Sequence, residues 1–188
     1  MKISSIGVFM GSQSGNDPQY IEAAEELGKR IALKKIKLVF GAGKDGLMGA
    51  TARSAMEAGG SVLGISPRNL AEEAFEASEI TQLIEVNTMT DRKQLLMDNS
   101  DVFIVLPGGF GTLEEIAQVI SWSKIHLHDK PLALFNVNGF YDKFWAWLNE
   151  VYEDGFVSEH DMRCIQMFDS IDACLLYTSP SPRDGATS

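Results

Sequence analysis

Short apolar runs alternate along this chain with longer stretches in which apolar side chains recur every three or four residues, the rhythm of buried strands followed by amphipathic helices. The runs at 5–10, 36–40, 61–65, 82–86, 102–106 and 132–135 read as strands, and 165–168 reads as an edge strand. Helical spacing begins behind Asp17, an N-cap standing before Pro18 at the first helical position, and continues through Ile21, Ala24, Leu27 and Ile31 to about Lys34. Further helices are predicted from the 41–49 loop to about Ala58, from 87 to about Asn99, from Thr112 to about Lys124, from 141 to about Gly155, and over 170–176. Residues 67–80 break the rhythm. With Glu72, Glu73 and Glu76 they read as solvated surface, the alternative being a lid over a site.

Strands alternating with helices, with glycine loops at strand carboxyl ends, predict an α/β, Rossmann-like three-layer fold: a mostly parallel sheet flanked by helices on both faces. Such sheets bind ligands outside the carboxyl ends of the strands, where the strand order reverses. Loops 11–15, 41–49 and 107–112 should therefore converge on one crevice. Residues 1–176 read as a single domain. From Tyr177 to Ser188 the chain is polar and interrupted by Pro180 and Pro182, a stretch unable to bury apolar surface and expected to be a disordered, non-native tail.

The stretch that organises the rest is 101–115, in which Val102 to Leu106 run straight into Pro107-Gly108-Gly109-Phe110-Gly111-Thr112 and then into an amphipathic segment. A strand, a glycine loop and a helix N-terminus in succession make an anion site, because unpaired N–H groups and the positive end of the helix dipole point at one spot. Three charge-assisted hydrogen bonds at about 1.5–3 kcal/mol each come close to the roughly 8 kcal/mol of a micromolar complex. A phosphate is the natural occupant. Thr112-Leu113-Glu114-Glu115 also fits a capping box, in which Glu115 would do no more than finish the helix.

Composition narrows the partners. The chain has 188 residues, 45% of them hydrophobic and 22% charged, the balance of an ordinary globular protein. A formal net charge of −10 argues against a nucleic-acid backbone as partner, which needs clustered Lys and Arg, while leaving room for a small anion held locally. No apolar stretch reaches the roughly 18 residues of a membrane span, and the two cysteines, Cys164 and Cys174, lack metal-ligand spacing. No membrane partner is expected, and the setting reads as cytoplasmic.

Other candidates carry less. Gly41, Gly43 and Gly46 spell GxGxxG, but on the second strand and without an acidic residue after the third, so they read as close-packing glycines beside a ligand rather than a dinucleotide site. No P-loop is present. Arg92 and Lys93 fall near the start of a helix, where the dipole disfavours cations; they call for an anion, which Asp91 or Glu85 could supply in a plain surface ion pair. His126, His128 and Asp129 read as loop residues, and no metal site is assigned.

Pro107-Gly108-Gly109-Phe110-Gly111-Thr112-Leu113-Glu114-Glu115 matches the signature PGGxGTxxE, and Asp91-Arg92-Lys93 with Met97 resembles its upstream xRKxxM element. The sequence is thereby similar to the Lonely Guy (LOG) family, the cytokinin riboside 5′-monophosphate phosphoribohydrolases, long named as lysine decarboxylases. The likeness extends through Gly11-Ser12, Gly46-Leu47-Met48-Gly49, His128-Asp129-Lys130-Pro131 and Gly155-Phe156. It implies a Rossmann-like homodimer or larger oligomer that hydrolyses the N-glycosidic bond of an adenosine 5′-monophosphate, often N6-substituted, with no metal or organic cofactor. By motif position it implies Arg92 and Glu115 as catalytic residues and Lys93, Gly109 to Glu115 and Ser121 as nucleotide contacts.

With Ser12, Met89 and Gly108 added, the expected substrate-binding set is Ser12, Met89, Lys93, Gly108, Gly109, Phe110, Gly111, Thr112 and Ser121. Three positions depart from the family pattern: Gly41-Ala42-Gly43 stands for a triple glycine, Met10 for a frequent cysteine, and 80–92 is shorter than in plant members. The chemistry of the residues agrees with the resemblance. Loss of a purine leaves positive charge on ribose, and a carboxylate one helical turn past a phosphate loop can stabilise it. The same loop and fold also resemble molybdenum-cofactor carriers, which bind a phosphorylated ligand without cleaving it.

Overall fold

In the computed structural model of the protein, which describes residues 3–178, the alternation resolves into β1 (Ser5–Phe9), α1 (Pro18–Leu33), β2 (Lys37–Phe40), α2 (Gly46–Glu57), β3 (Val62–Pro67), β4 (Gln82–Val86) and α3 (Met89–Asp98). The second half continues with β5 (Val102–Val105), α4 (Phe110–Lys124), β6 (Leu132–Phe135), α5 (Asp142–Glu153), α6 (Glu159–Met162), β7 (Ile165–Phe168) and α7 (Ile171–Tyr177). The strands form one sheet in the order β4-β3-β2-β1-β5-β6-β7, and every described pair is parallel. The order reverses between β1 and β5, which pair from Ile6 opposite Val102 to Phe9 opposite Val105.

The two-residue side-chain period of these strands divides the core into two layers. Ile6, Val8, Val102 and Ile104 pack with α1, α2 and α7 on one face, whereas Phe9, Phe103 and Val105 pack with α3, α4 and α5 on the other. Both faces are covered, which is why the central strands are continuous apolar runs. Asp101 fixes the start of β5 on β1: its carboxylate accepts from Ser4 N at 2.8 Å, Ser4 Oγ at 2.9 Å and Ser5 N at 3.0 Å. Partial burial resists its ionisation, but these donors outweigh it and hold the group below the ordinary carboxylate range.

Local signals account for most helix ends. Asp17 caps α1 as its position before Pro18 suggests, accepting from Gln19 N at 2.9 Å. Thr88 caps α3 through Asp91 N. Three expectations are corrected. First, α4 begins at Phe110 with Gly109 as N-cap and no side-chain cap, so Thr112 lies inside the first turn and the capping box at Thr112 and Glu115 does not form. Second, α6 was not expected, although its Ser158 and Asp161 make a complete capping box. Third, α7 runs through Tyr177 into a buried Thr178, whose Oγ1 donates to Cys174 O at 3.0 Å, so the packed chain extends two residues into the stretch read as a tail. The rest of that stretch, 179–188, lies outside the described residues. Among the described residues no helix is long and apolar enough to cross a membrane.

Phe103, fully buried and stacked on Phe9 with ring centroids 5.1 Å apart, sits under the strand that leads into the glycine loop. Phe103→Ala is expected to cost about 3–5 kcal/mol through lost burial and the cavity left behind, measured as a lowered midpoint of urea unfolding with an unchanged slope.

Candidate functional site

Because the strand order reverses between β1 and β5, the loops leaving these strands diverge to opposite faces and leave a crevice above them. Hydrogen bonds stitch its floor: Gly11 N donates to Pro107 O at 3.0 Å, and Leu47 N donates to Gly11 O at 3.2 Å. The three loops named from the sequence thus converge, and between them opens a cleft of about 790 Å³. Residues 68–73, a 3₁₀ segment, close one side. That segment is held by Lys44 N to Glu73 O at 3.0 Å and by Phe75 N to Ala42 O at 2.9 Å, so Leu70, Glu73 and Ala74 form a wall of the cleft rather than free surface.

The glycine loop places the N-terminus of α4 at the cleft. A side chain built at Gly109 or Gly111 would meet nothing within 4 Å, so the backbone there faces open space. With no side chain capping α4, the amides of its first turn and the positive end of its dipole are available to an anion. Gly108 is different. It lies behind the loop against Thr112 Oγ1 and Gly11 N, does not line the cleft, and serves the tight packing of the loop. Thr112 is buried at the cleft wall, and Phe110 stands at the mouth, 93% exposed.

One turn into α4, Glu115 faces Arg92 of α3, with Oε1 4.0 Å from Nη2 and the two side chains only 12% and 10% exposed. This is no surface ion pair with Asp91 or Glu85. Asp91 accepts from Thr88 Oγ1 at 2.7 Å instead. The guanidinium is seated by Gly41: any Cβ there would collide with Arg92 Nη2, which gives the first glycine of the 41–46 set its physical reason. The buried Nε of Arg92 has no hydrogen-bond partner, so part of the guanidinium is unspent. Burial pushes the Glu115 carboxyl up to about 7 and the nearby Glu114 adds to it, while Arg92 and Lys93 pull the other way without overcoming desolvation. Behind the loop, Tyr141 donates to Leu106 O at 2.7 Å, and its own ionisation is pushed up by burial and by Glu115.

Of the other expected contacts, Ser12, Met89 and Lys93 all line the cleft, and Lys93 Nζ pairs with Glu114 Oε1 at 2.7 Å. Ser121 does not. It lies farther along α4, exposed, with its hydroxyl donating to Gln118 O at 3.2 Å, so a single chain does not bring it to the cleft. The cleft also takes in Gln13, Ser14, Asp45, Ser66 and Glu73, which sequence reasoning did not single out. The loops carrying Gln13, Ser14 and Asp45 gave a signal, as did the alternative reading of 67–80 as a lid for Glu73, whereas Ser66 gave none. Ala42, standing where a triple glycine is usual, is fully buried with φ of 64°, a left-handed conformation that costs an alanine about 1–2 kcal/mol. Met10 is buried at the cleft floor and accepts from Thr51 Oγ1 at 3.2 Å. His128 Nδ1 accepts from Lys130 N at 3.1 Å within its loop, and among the described residues no group of three or more His, Cys, Asp and Glu is placed to hold a metal ion.

Residues 48–177 match a family model described as "Possible lysine decarboxylase". The chain is 42% identical over 160 residues to the cytokinin riboside 5′-monophosphate phosphoribohydrolase LOG2 of Arabidopsis thaliana, an alignment covering 85% of this chain and 75% of that one. It is 40% identical over 156 residues to the probable enzyme of the same name, LOG6, covering 83% and 78% of the two chains. Among solved structures it is similar to the molybdenum cofactor binding protein of Rippkaea orientalis, with TM-score 0.71, 25% identity and 94% and 95% of the chains covered. The molybdenum cofactor carrier protein of Chlamydomonas reinhardtii superposes with TM-score 0.69 at 21% identity, covering 93% and 95%, a likeness of fold.

The raised Glu115 carboxyl has a consequence for stability. The folded protein binds this proton more tightly than the unfolded chain, so the stability it contributes is fully present below pH about 4.5 and lost as pH rises through about 7. Glu115→Gln is expected to match the native chain at pH 4.5 and to exceed it above pH 7 by up to about 3 kcal/mol. Thermal unfolding followed across that range checks the crossover.

Proposed function

The chain belongs to the Lonely Guy family, and on that premise we propose that it hydrolyses the N-glycosidic bond of an adenosine 5′-monophosphate, plain or N6-substituted, to the free base and ribose 5-phosphate. The observation that carries this reading is a buried carboxylate, Glu115, set beside a buried guanidinium one helical turn beyond open main-chain amides. The 5′-phosphate binds at the first turn of α4, over Gly109 to Thr112, where amides and dipole favour a dianion. The ribose then extends along the helix toward Glu115.

As the bond from C1′ to the purine nitrogen lengthens, positive charge develops on the ribose ring. The Glu115 carboxylate stabilises that charge and takes a proton from the water that attacks C1′, while the departing purine takes a proton from solvent, to which Glu115 then returns its own. A base poised near neutrality suits this task, and the cause of its poise is burial. Arg92 contributes in two ways. It keeps an opposite charge 4.0 Å from the carboxylate, and its unpartnered Nε–H remains for a phosphate or ribose oxygen. Lys93, Met89, Ser12, Phe110 and Thr112 complete the contacts. No step calls on a cofactor.

A second reading, a carrier that binds a phosphorylated ligand without cleaving it, is favoured by the likeness of fold to molybdenum cofactor carriers. A phosphate grip alone would serve that role. A carboxylate desolvated beside an arginine would not be needed for it, and this arrangement favours the hydrolase. We also propose a homodimer, since Ile125 and Leu127 near the end of α4, Trp147 on α5 and Phe156 just beyond it are large apolar side chains left more than half exposed. A cytoplasmic setting is part of the same proposal, with Cys164 and Cys174 both free thiols.

Incubation with AMP should yield adenine and ribose 5-phosphate in equal amounts, and N6-isopentenyl-AMP tests whether a larger base is preferred. Binding of AMP without release of adenine would leave only the carrier. Glu115→Gln is expected to lower kcat by about 10²–10⁴ with AMP binding kept; cleavage at the native rate would reduce Glu115 to a structural residue. In the native enzyme kcat/KM should rise with pH through about 7 as the Glu115 carboxyl ionises, and that limb should be missing from the residual activity of the Gln variant.

A further inference from the structure

The opening turns of α3 and α4 face each other across the cleft and carry four charges in opposed order, Arg92 against Glu115 and Lys93 against Glu114. The two pairs are unlike. Arg92 and Glu115 are buried, 4.0 Å apart and not hydrogen-bonded, whereas Lys93 Nζ donates to Glu114 Oε1 at 2.7 Å with side chains 27% and 57% exposed. Both Lys93 and Glu114 line the same cleft as Gly109, Gly111 and Thr112. Without a ligand, therefore, a carboxylate near the positive end of α4 already holds the one ammonium that lines the cleft among the described residues.

We propose that Glu114 is a positioning residue that holds Lys93 in the ligand-free cleft and competes with the substrate's phosphate for it. Lys93 exchanges the Glu114 carboxylate for the phosphate on binding and returns to it on release. Two physical facts require the exchange. A phosphate dianion beside a carboxylate on the same helix end meets like-charge repulsion. A partly exposed lysine on a flexible stem can turn from one anion to the other with little cost, as a buried arginine seated on Gly41 cannot. Glu114 thus weakens the grip on ribose 5-phosphate and favours its departure. The inference rests on the phosphate site proposed above, but not on cleavage occurring there.

Calorimetric titration with ribose 5-phosphate and with inorganic phosphate tests it, with adenosine as the ligand lacking phosphate. Glu114→Gln is a mild change at a half-exposed position, and it should tighten both phosphate ligands about two- to fivefold, the scale of an exposed ion pair, while leaving adenosine unchanged. In a Lys93→Met background the gain should shrink to the smaller part that direct repulsion supplies. Unaltered phosphate affinity in Glu114→Gln, equal tightening of adenosine, or tightening that is undiminished without Lys93 would each overturn the exchange. If the native protein fails to cleave AMP yet shows this pattern, the hydrolase reading falls and the exchange stands. If it cleaves AMP and the pattern is absent, only the exchange falls.

Discussion

The cleft is built around a guanidinium and a carboxylate held together out of water, Arg92 and Glu115 with 4.0 Å between them. Their mutual attraction offsets only part of the cost of that placement, because removing a charge from water costs several kcal/mol even after relaxation. Three separate elements make the placement possible. The carboxyl end of β2 supplies Gly41, whose missing side chain leaves room for the guanidinium. The first turn of α3 supplies the arginine, and α4 supplies the glutamate one turn beyond the glycine loop. The reversal of strand order between β1 and β5 brings these parts to a common crevice.

Desolvation dominates the electrostatics of the pair. The Glu115 carboxyl is raised although two cations face it, since at this separation their attraction does not repay the loss of water. The outcome is a group that ionises near neutrality, useful for proton transfer and expensive for stability above that pH. Strain accumulates in the same neighbourhood. Ala42 is held in a left-handed conformation and buried, beside the glycine that seats Arg92. Local cost of this kind persists where surrounding packing over-determines it, and it gathers at sites that work.

The neighbours in fold underline how little the sheet by itself decides. Proteins described as cofactor binders or carriers superpose on this chain along nearly its whole length, and a phosphate grip at a helix N-terminus is common to many chemistries. What separates hydrolysis from carriage is a small number of side chains beyond that grip. The family relationship rests on sequence identity near 40% across most of the chain.

Much of this was decided within short windows of sequence. Alternation and helical spacing set the strands and most helices, Asp17 before Pro18 set where α1 begins, and the glycine loop placed a helix N-terminus at the cleft with Glu115 a turn away, because each of these depends on neighbours a few residues apart. The start of α4 escaped the same logic: Thr112 has the chemistry of a cap, but Gly109 takes that position and frees the amides at the cleft. Tertiary structure alone decided that Arg92 is buried against Gly41, that Lys93 turns to Glu114 rather than to Asp91, that residues 68–74 wall the cleft, and that Ser121 stays outside it. Those outcomes depend on how segments distant in sequence pack, and the burial and electrostatic energies that choose each partner exist only once the sheet has brought the segments together.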